Sequence, residues 1–190
     1  MFTLFKPNPE RSAVELAYLR IVAQARRPGF FLNGGVPDTL DGRFELICLH
    51  AFLYLHRLKG EQPRSARHGR RFVAAMVADF DRSLREMGTG DLSVGREVKR
   101  MAEAFYGRFA AYEQGLAAGD AVLRPALARN LFGTTIPDPA QLAAMAAYVR
   151  AQAAALREQD AGALLAGDLA FGDPPVPAEP LAPVEEAVRQ

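Results

Sequence analysis

Residues 41–60 read DGRFELICLHAFLYLHRLKG. On a helical wheel started at Phe44, the apolar residues Leu46, Ile47, Cys48, Leu49, Ala51, Phe52, Leu53, Leu55 and Leu58 cover nearly the whole circumference. A helix that is apolar on almost every side is enclosed by several neighbours. One polar strip interrupts it: Arg43, His50 and Arg57, seven residues apart, with Tyr54 alongside. His56 falls on another face. The stretch therefore predicts the central helix of an all-helical core.

The flanking sequence supplies its neighbours. Asn8-Pro9 opens a helix whose Val14, Tyr18, Ile21 and Ala25 share one face, and Arg26-Arg27-Pro28-Gly29 ends it. Phe30-Phe31-Leu32 and Asn33-Gly34-Gly35 read as an apolar loop and a turn. Asp38 is expected to cap the central helix, with Asp41 in its first turn and Gly60 after its last residue. Residues Pro63 to Arg71 read as a polar, basic connection. A helix then carries Phe72, Val73, Met76, Val77, Phe80, Leu84 and Met87, closed by Gly88-Thr89-Gly90. The next places Val98, Met101, Phe105, Phe109, Tyr112 and Leu116 in a stripe. Gly119-Asp120 leads into a short helix that Pro125 should break or kink. Asp138-Pro139 caps a last one, with Leu142, Met145, Val149 and Leu156 inward. The prediction is one all-α domain of about six helices over residues 8–166. Residues 167–190 form an extended, Pro-rich, acidic tail, largely irregular.

Composition excludes whole classes of function. The formal net charge is +1, which gives no global field for nucleic acid or membrane. One cysteine forms no internal disulfide and supplies no structural zinc, which points to a reducing compartment. The first residues lack the apolar run of a signal peptide, and no apolar run reaches ~18 residues. A cytoplasmic protein is expected.

The reactive residue types resolve mostly into packing. His50 and His56 lie six apart and point away from each other, whereas a metal pair needs i,i+3 or i,i+4 spacing, so no metal site is assigned. Cys48 has no base at helical spacing and reads as a buried thiol. Asp79, Asp81, Glu86 and Asp91 have arginines near enough to pair with them. No catalytic residue and no cofactor is assigned. Charge is polarised: residues 57–71 carry +5, with Arg64, Arg67, Arg70 and Arg71 as a basic patch, and residues 158–190 carry −6. Such a patch suits an acidic protein, anionic lipid headgroups or RNA. Aromatics are not interleaved with the arginines, which argues against single-stranded nucleic acid, and no sequence-specific nucleic acid is expected.

Three segments in fixed order carry a resemblance: GVPDTLDGRFELICLHAFLYLHRL (35–58), MVADFDRSLREMGTGDLSVGREVKRMAEAFYGR (76–108) and FAAYEQGL (109–116). Together they resemble the ubiquinol–cytochrome c chaperone family, assembly factors for the bc-type quinol–cytochrome c reductase. Position 95 is Gly where the family often has proline. The resemblance implies a bacterial, non-catalytic chaperone that binds nascent or unassembled cytochrome b, peripheral to the cytoplasmic side of the inner membrane. It also implies a small partner subunit and work near the ribosome and an anionic membrane surface. Within that frame Phe30, Phe31, Asp38, Arg43, His50, Arg57, Tyr106 and Arg108 are expected to form one client-binding face. Two rival readings stand beside it. One is a lipid- or quinone-binding helical module using the apolar face of helices two to four, which an enclosed apolar cavity or co-purifying lipid would favour. The other is a small helical enzyme using His50, which would need a carboxylate beside it in an open cleft.

Overall fold

The computed structural model describes residues 9–59, 63–133 and 135–177. The described residues are helical, with no strand. Six long helices and two short ones run in order: α1 Pro9–Ala25, α2 Gly29–Leu32, α3 Leu40–Leu58, α4 Pro63–Glu86, α5 Asp91–Ala118, α6 Asp120–Leu131, α7 Pro139–Glu158 and α8 Ala161–Leu165. Asn8 and Gly60 lie outside the described residues.

α3 is the axis of the domain. It touches α1, α4, α5, α6 and α7, which is why nearly every side of it is apolar. Leu46, Cys48, Leu49, Ala51, Phe52 and Tyr54 are fully enclosed. Phe52 meets Phe109 and Tyr112 of α5, and Tyr54 meets Phe72 of α4, in tilted or edge-to-face contacts.

Several local expectations change. The N-cap of α3 is Thr39, whose Oγ1 accepts from the Gly42 N–H at 3.1 Å; Asp38 turns outward to pair with Arg43. Residues 30–32 form the helical turn α2 and not a loop. The basic connection is helical too, because α4 starts at Pro63, two turns before its apolar stripe. Pro125 does not break α6: it sits one turn in, where it forfeits a single backbone bond without dividing the helix. Asp138 caps α7 through the N–H groups of Ala140 and Gln141. Beyond α8, residues 168–177 have no regular secondary structure, yet they lie along the domain, with Leu169 buried and Phe171 against His50.

Candidate functional site

Beyond Arg43, which stays at the surface, the polar strip on α3 is a seam between helices. His50 is fully buried. Its Nδ1 lies 2.7 Å from the Leu46 carbonyl and its Nε2 lies 2.8 Å from the Tyr148 hydroxyl of α7. A carbonyl only accepts, so Nδ1 carries the proton and Tyr148 donates to Nε2. Gln24 in turn donates to the Tyr148 oxygen and to the Gly172 carbonyl. Burial pushes the His50 pKa down to about 4, which keeps the ring neutral. Arg57, seven residues on, donates to the carbonyls of Leu156 and Gln159 at the end of α7. No carboxylate is hydrogen-bonded to His50 among the described residues, and no cleft opens onto it. Cys48 is enclosed as well, and burial raises its thiol pKa well above the ordinary value.

The expected client face therefore divides. Phe30 and His50 are fully buried and present nothing to a partner. Arg57 is spent largely on α7. Arg108 makes a two-pronged ion pair with the buried Glu45 of α3, and its guanidinium also lies over the Phe44 ring. Burial of that carboxyl holds the Glu45 pKa above the usual range, although Arg108 pulls it down. On the surface remain Asp38 and Arg43, paired at 2.7 Å, half-buried Phe31, and Tyr106, 59 % exposed on α5. Two residues not named in that set join those at the surface. Leu32 is 73 % exposed at the end of α2 and Leu40 is 67 % exposed at the start of α3. Leu32 belongs to the apolar Phe30-Phe31-Leu32 stretch noted in the sequence, whereas no sequence pattern singles out Leu40.

The junction that presents these leucines is rigid. Thr39 caps α3, Asp38 pairs with Arg43, and the Val36 N–H donates to the Phe30 carbonyl. Gly42 lies so close to the Pro37 carbonyl that an added Cβ would stand 2.0 Å from its oxygen. The glycine of the Asp-Gly-Arg-Phe-Glu signature is thus the point where the incoming chain crosses the first turn of α3.

The basic patch also sorts itself. Arg64, Arg67 and Arg71 line one surface cavity of about 540 Å³ together with His68; Arg70 does not line it. Among the described residues no group of His, Cys, Asp or Glu could hold a metal ion. Among them, too, no helix is long and apolar enough to cross a membrane.

The chain is similar to known proteins in sequence and in fold. Residues 33–171 match the profile of the family described as Ubiquinol-cytochrome C chaperone. The chain is 32 % identical over 136 residues to ubiquinol-cytochrome-c reductase complex assembly factor 1 of Xenopus laevis, covering 72 % of this chain and 68 % of that one. The Drosophila melanogaster assembly factor of the same name is 29 % identical over 160 residues, 80 % of this chain and 62 % of its own. The chain spans 42 % of the length of the mouse protein. The crystal structure of the Cbp3 homolog from Brucella abortus superposes with a TM-score of 0.77 at 40 % identity, covering 87 % of this chain and 91 % of that one.

Proposed function

The chain belongs to the ubiquinol-cytochrome C chaperone family, and from that premise we propose that it is a non-catalytic assembly factor that holds cytochrome b while the quinol–cytochrome c reductase is built. It works on the cytoplasmic side of the inner membrane. The surface that takes the client is the α2–α3 junction, with Leu32, Leu40 and Phe31 as apolar contacts and the Asp38–Arg43 pair as the polar rim.

The observation that supports this reading is the exposure of Leu32 and Leu40 at the two ends of the α2–α3 junction. Both are large, both stand mostly in water, and both are carried by a junction fixed by a cap, an ion pair and a close backbone crossing. A backbone already fixed by such contacts has little freedom left to lose on binding, which favours a hydrophobic client segment. The enzyme reading has no matching support at His50, whose fully buried imidazole is engaged at both nitrogens in structural bonds.

Newly made cytochrome b should co-purify with the chain and fail to do so with Leu32→Asp plus Leu40→Asp, whose helical content should be unchanged. Undiminished capture by that variant removes the assigned face. A deletion strain should lack assembled reductase and spectroscopic haem b. Normal levels of both would remove the function itself.

A further inference from the structure

α4 starts against the rules of helix electrostatics. The N-terminal end of a helix is electropositive and favours carboxylates. The first turn of α4 has none, and Arg64, Arg67 and Arg71 follow on one face. That face closes the cavity of about 540 Å³, whose other walls come from Glu10, Ala13 and Leu16 of α1 and Leu165 of α8. Arg71 pairs with Glu10. Arg64 and Arg67 are exposed and have no ion-pair partner among the described residues. His68 is 7 % exposed and lines the same cavity. The Tyr54 hydroxyl donates to the Leu164 carbonyl, so the proton in the Tyr54–His68 bond belongs to His68 Nε2. That leaves Nδ1 as the ring nitrogen with no hydrogen bond among the described residues.

Arg71 also lines a second cavity, a groove of about 640 Å³ along the seam of α1 and α4. Its apolar lining is Val14, Leu19, Ala74, Ala75 and Ala78, with Leu19 64 % exposed. Its charges are matched in place, Arg11 with Glu15 and Arg82 with Asp79. The unmatched positive charge is thus confined to one end, and the apolar groove leads away from it. That arrangement fits an amphiphile with an anionic head.

We propose that the cavity of Arg64, Arg67, Arg71 and His68 binds the phosphate of an anionic phospholipid, with the lipid's apolar portion directed along the α1–α4 groove. Guanidinium forks match phosphate oxygens two at a time. The proposal stands apart from the client face, which lies on α2 and α3.

The test is flotation of the full chain with vesicles of phosphatidylcholine, alone or doped with phosphatidylglycerol. The chain should partition onto the doped vesicles. Arg64→Gln with Arg67→Gln should weaken partition about 30-fold, at ~1 kcal/mol per arginine. Arg70→Gln with Arg96→Gln removes equal charge outside the cavity and should change it by about threefold or less. Leu19→Asp should weaken partition while leaving binding of inorganic phosphate, read from the His68 ring resonances, unchanged. Equal losses in the two arginine pairs would mean diffuse electrostatics and overturn the site. Phosphate binding without vesicle partition would overturn the lipid assignment. So would capture of polyglutamate but not of doped vesicles, which would point to an acidic polypeptide instead.

Discussion

His50 is the residue whose surroundings explain most about the core. Its two ring nitrogens, Tyr148 and Gln24 form one directed chain, in which each donor has an acceptor and each acceptor a donor. Removing one link leaves the next group buried and unpaired. Tyr148→Phe should therefore cost about 1–3 kcal/mol in urea unfolding, more than the loss of one ordinary bond. The neutral ring also sets a pH dependence. The folded pKa is about 4, against 6.5 for the free side chain. Between those values the unfolded chain binds the extra proton, so stability rises with pH across that window and falls on acidification. The difference corresponds to about 3 kcal/mol, and the urea midpoint should drop accordingly between about pH 7 and about pH 4. His56 and His68 are shifted downward by burial as well and act in the same direction. Arg108 belongs at this scale too. Arg108→Ala strands the Glu45 carboxylate and should cost about 2–3 kcal/mol, whereas Glu45→Met with Arg108→Met should recover most of that. Any loss of client capture by Arg108→Ala alone would thus report on packing before it reported on recognition.

At the scale of elements, two glycines of α5 separate packing from propensity. A Cβ on Gly115 would come within 2.8 Å of the Leu123 backbone, so α5 and α6 approach each other through that glycine. Gly107 has open space and is exposed. Alanine favours a helix over glycine by about 1 kcal/mol. Gly107→Ala should gain up to that amount, and Gly115→Ala should lose about 1–2 kcal/mol because helix separation outweighs propensity. Thermal midpoints moving in opposite directions would check both. Elements of this kind were the most legible part of the sequence. The all-round apolarity of α3 announced several neighbours, of which the fold has five, and Asp138 announced the start of α7. The start of α4 was hidden, because its first two turns carry arginines and no apolar stripe where the helix field favours acids. The burial of part of the expected client face was hidden for a related reason. His50 and Arg57 look like a surface strip until their partners are known, and those partners, Tyr148 and Leu156, lie 98 and 99 residues further along. Local periodicity carries no information about a contact of that length.

At the scale of the whole molecule, the segment after α8 closes the core. Its charges look responsible at first: Asp168 pairs with Arg20 and Asp173 with Arg27, so its acidity is matched to the outer side of α1. Both pairs are largely exposed, and such pairs contribute little. The larger effects are apolar and directional. Leu169 is 2 % exposed, and the Phe171 ring stands edge-on to His50 at 5.0 Å. Gly172 accepts from Gln24 and donates to Gln152, while Ala170 exchanges two bonds with Gln159. A chain ending at Ala166 loses all of this at once. Burial of two such side chains is worth about 1.5–3 kcal/mol each, so the shortened chain should be about 4 kcal/mol less stable than the full one. The deficit should persist at high salt, since screening acts on the ion pairs and leaves the apolar contacts alone. Phe171→Ala in the full chain should reproduce part of the deficit and, by admitting water to His50, move that ring's titration back toward 6.5. A deficit that vanished in salt would mean that the segment is held by its charges. A His50 titration unmoved by Phe171→Ala would mean that α1, α3 and α7 exclude water from the ring without it.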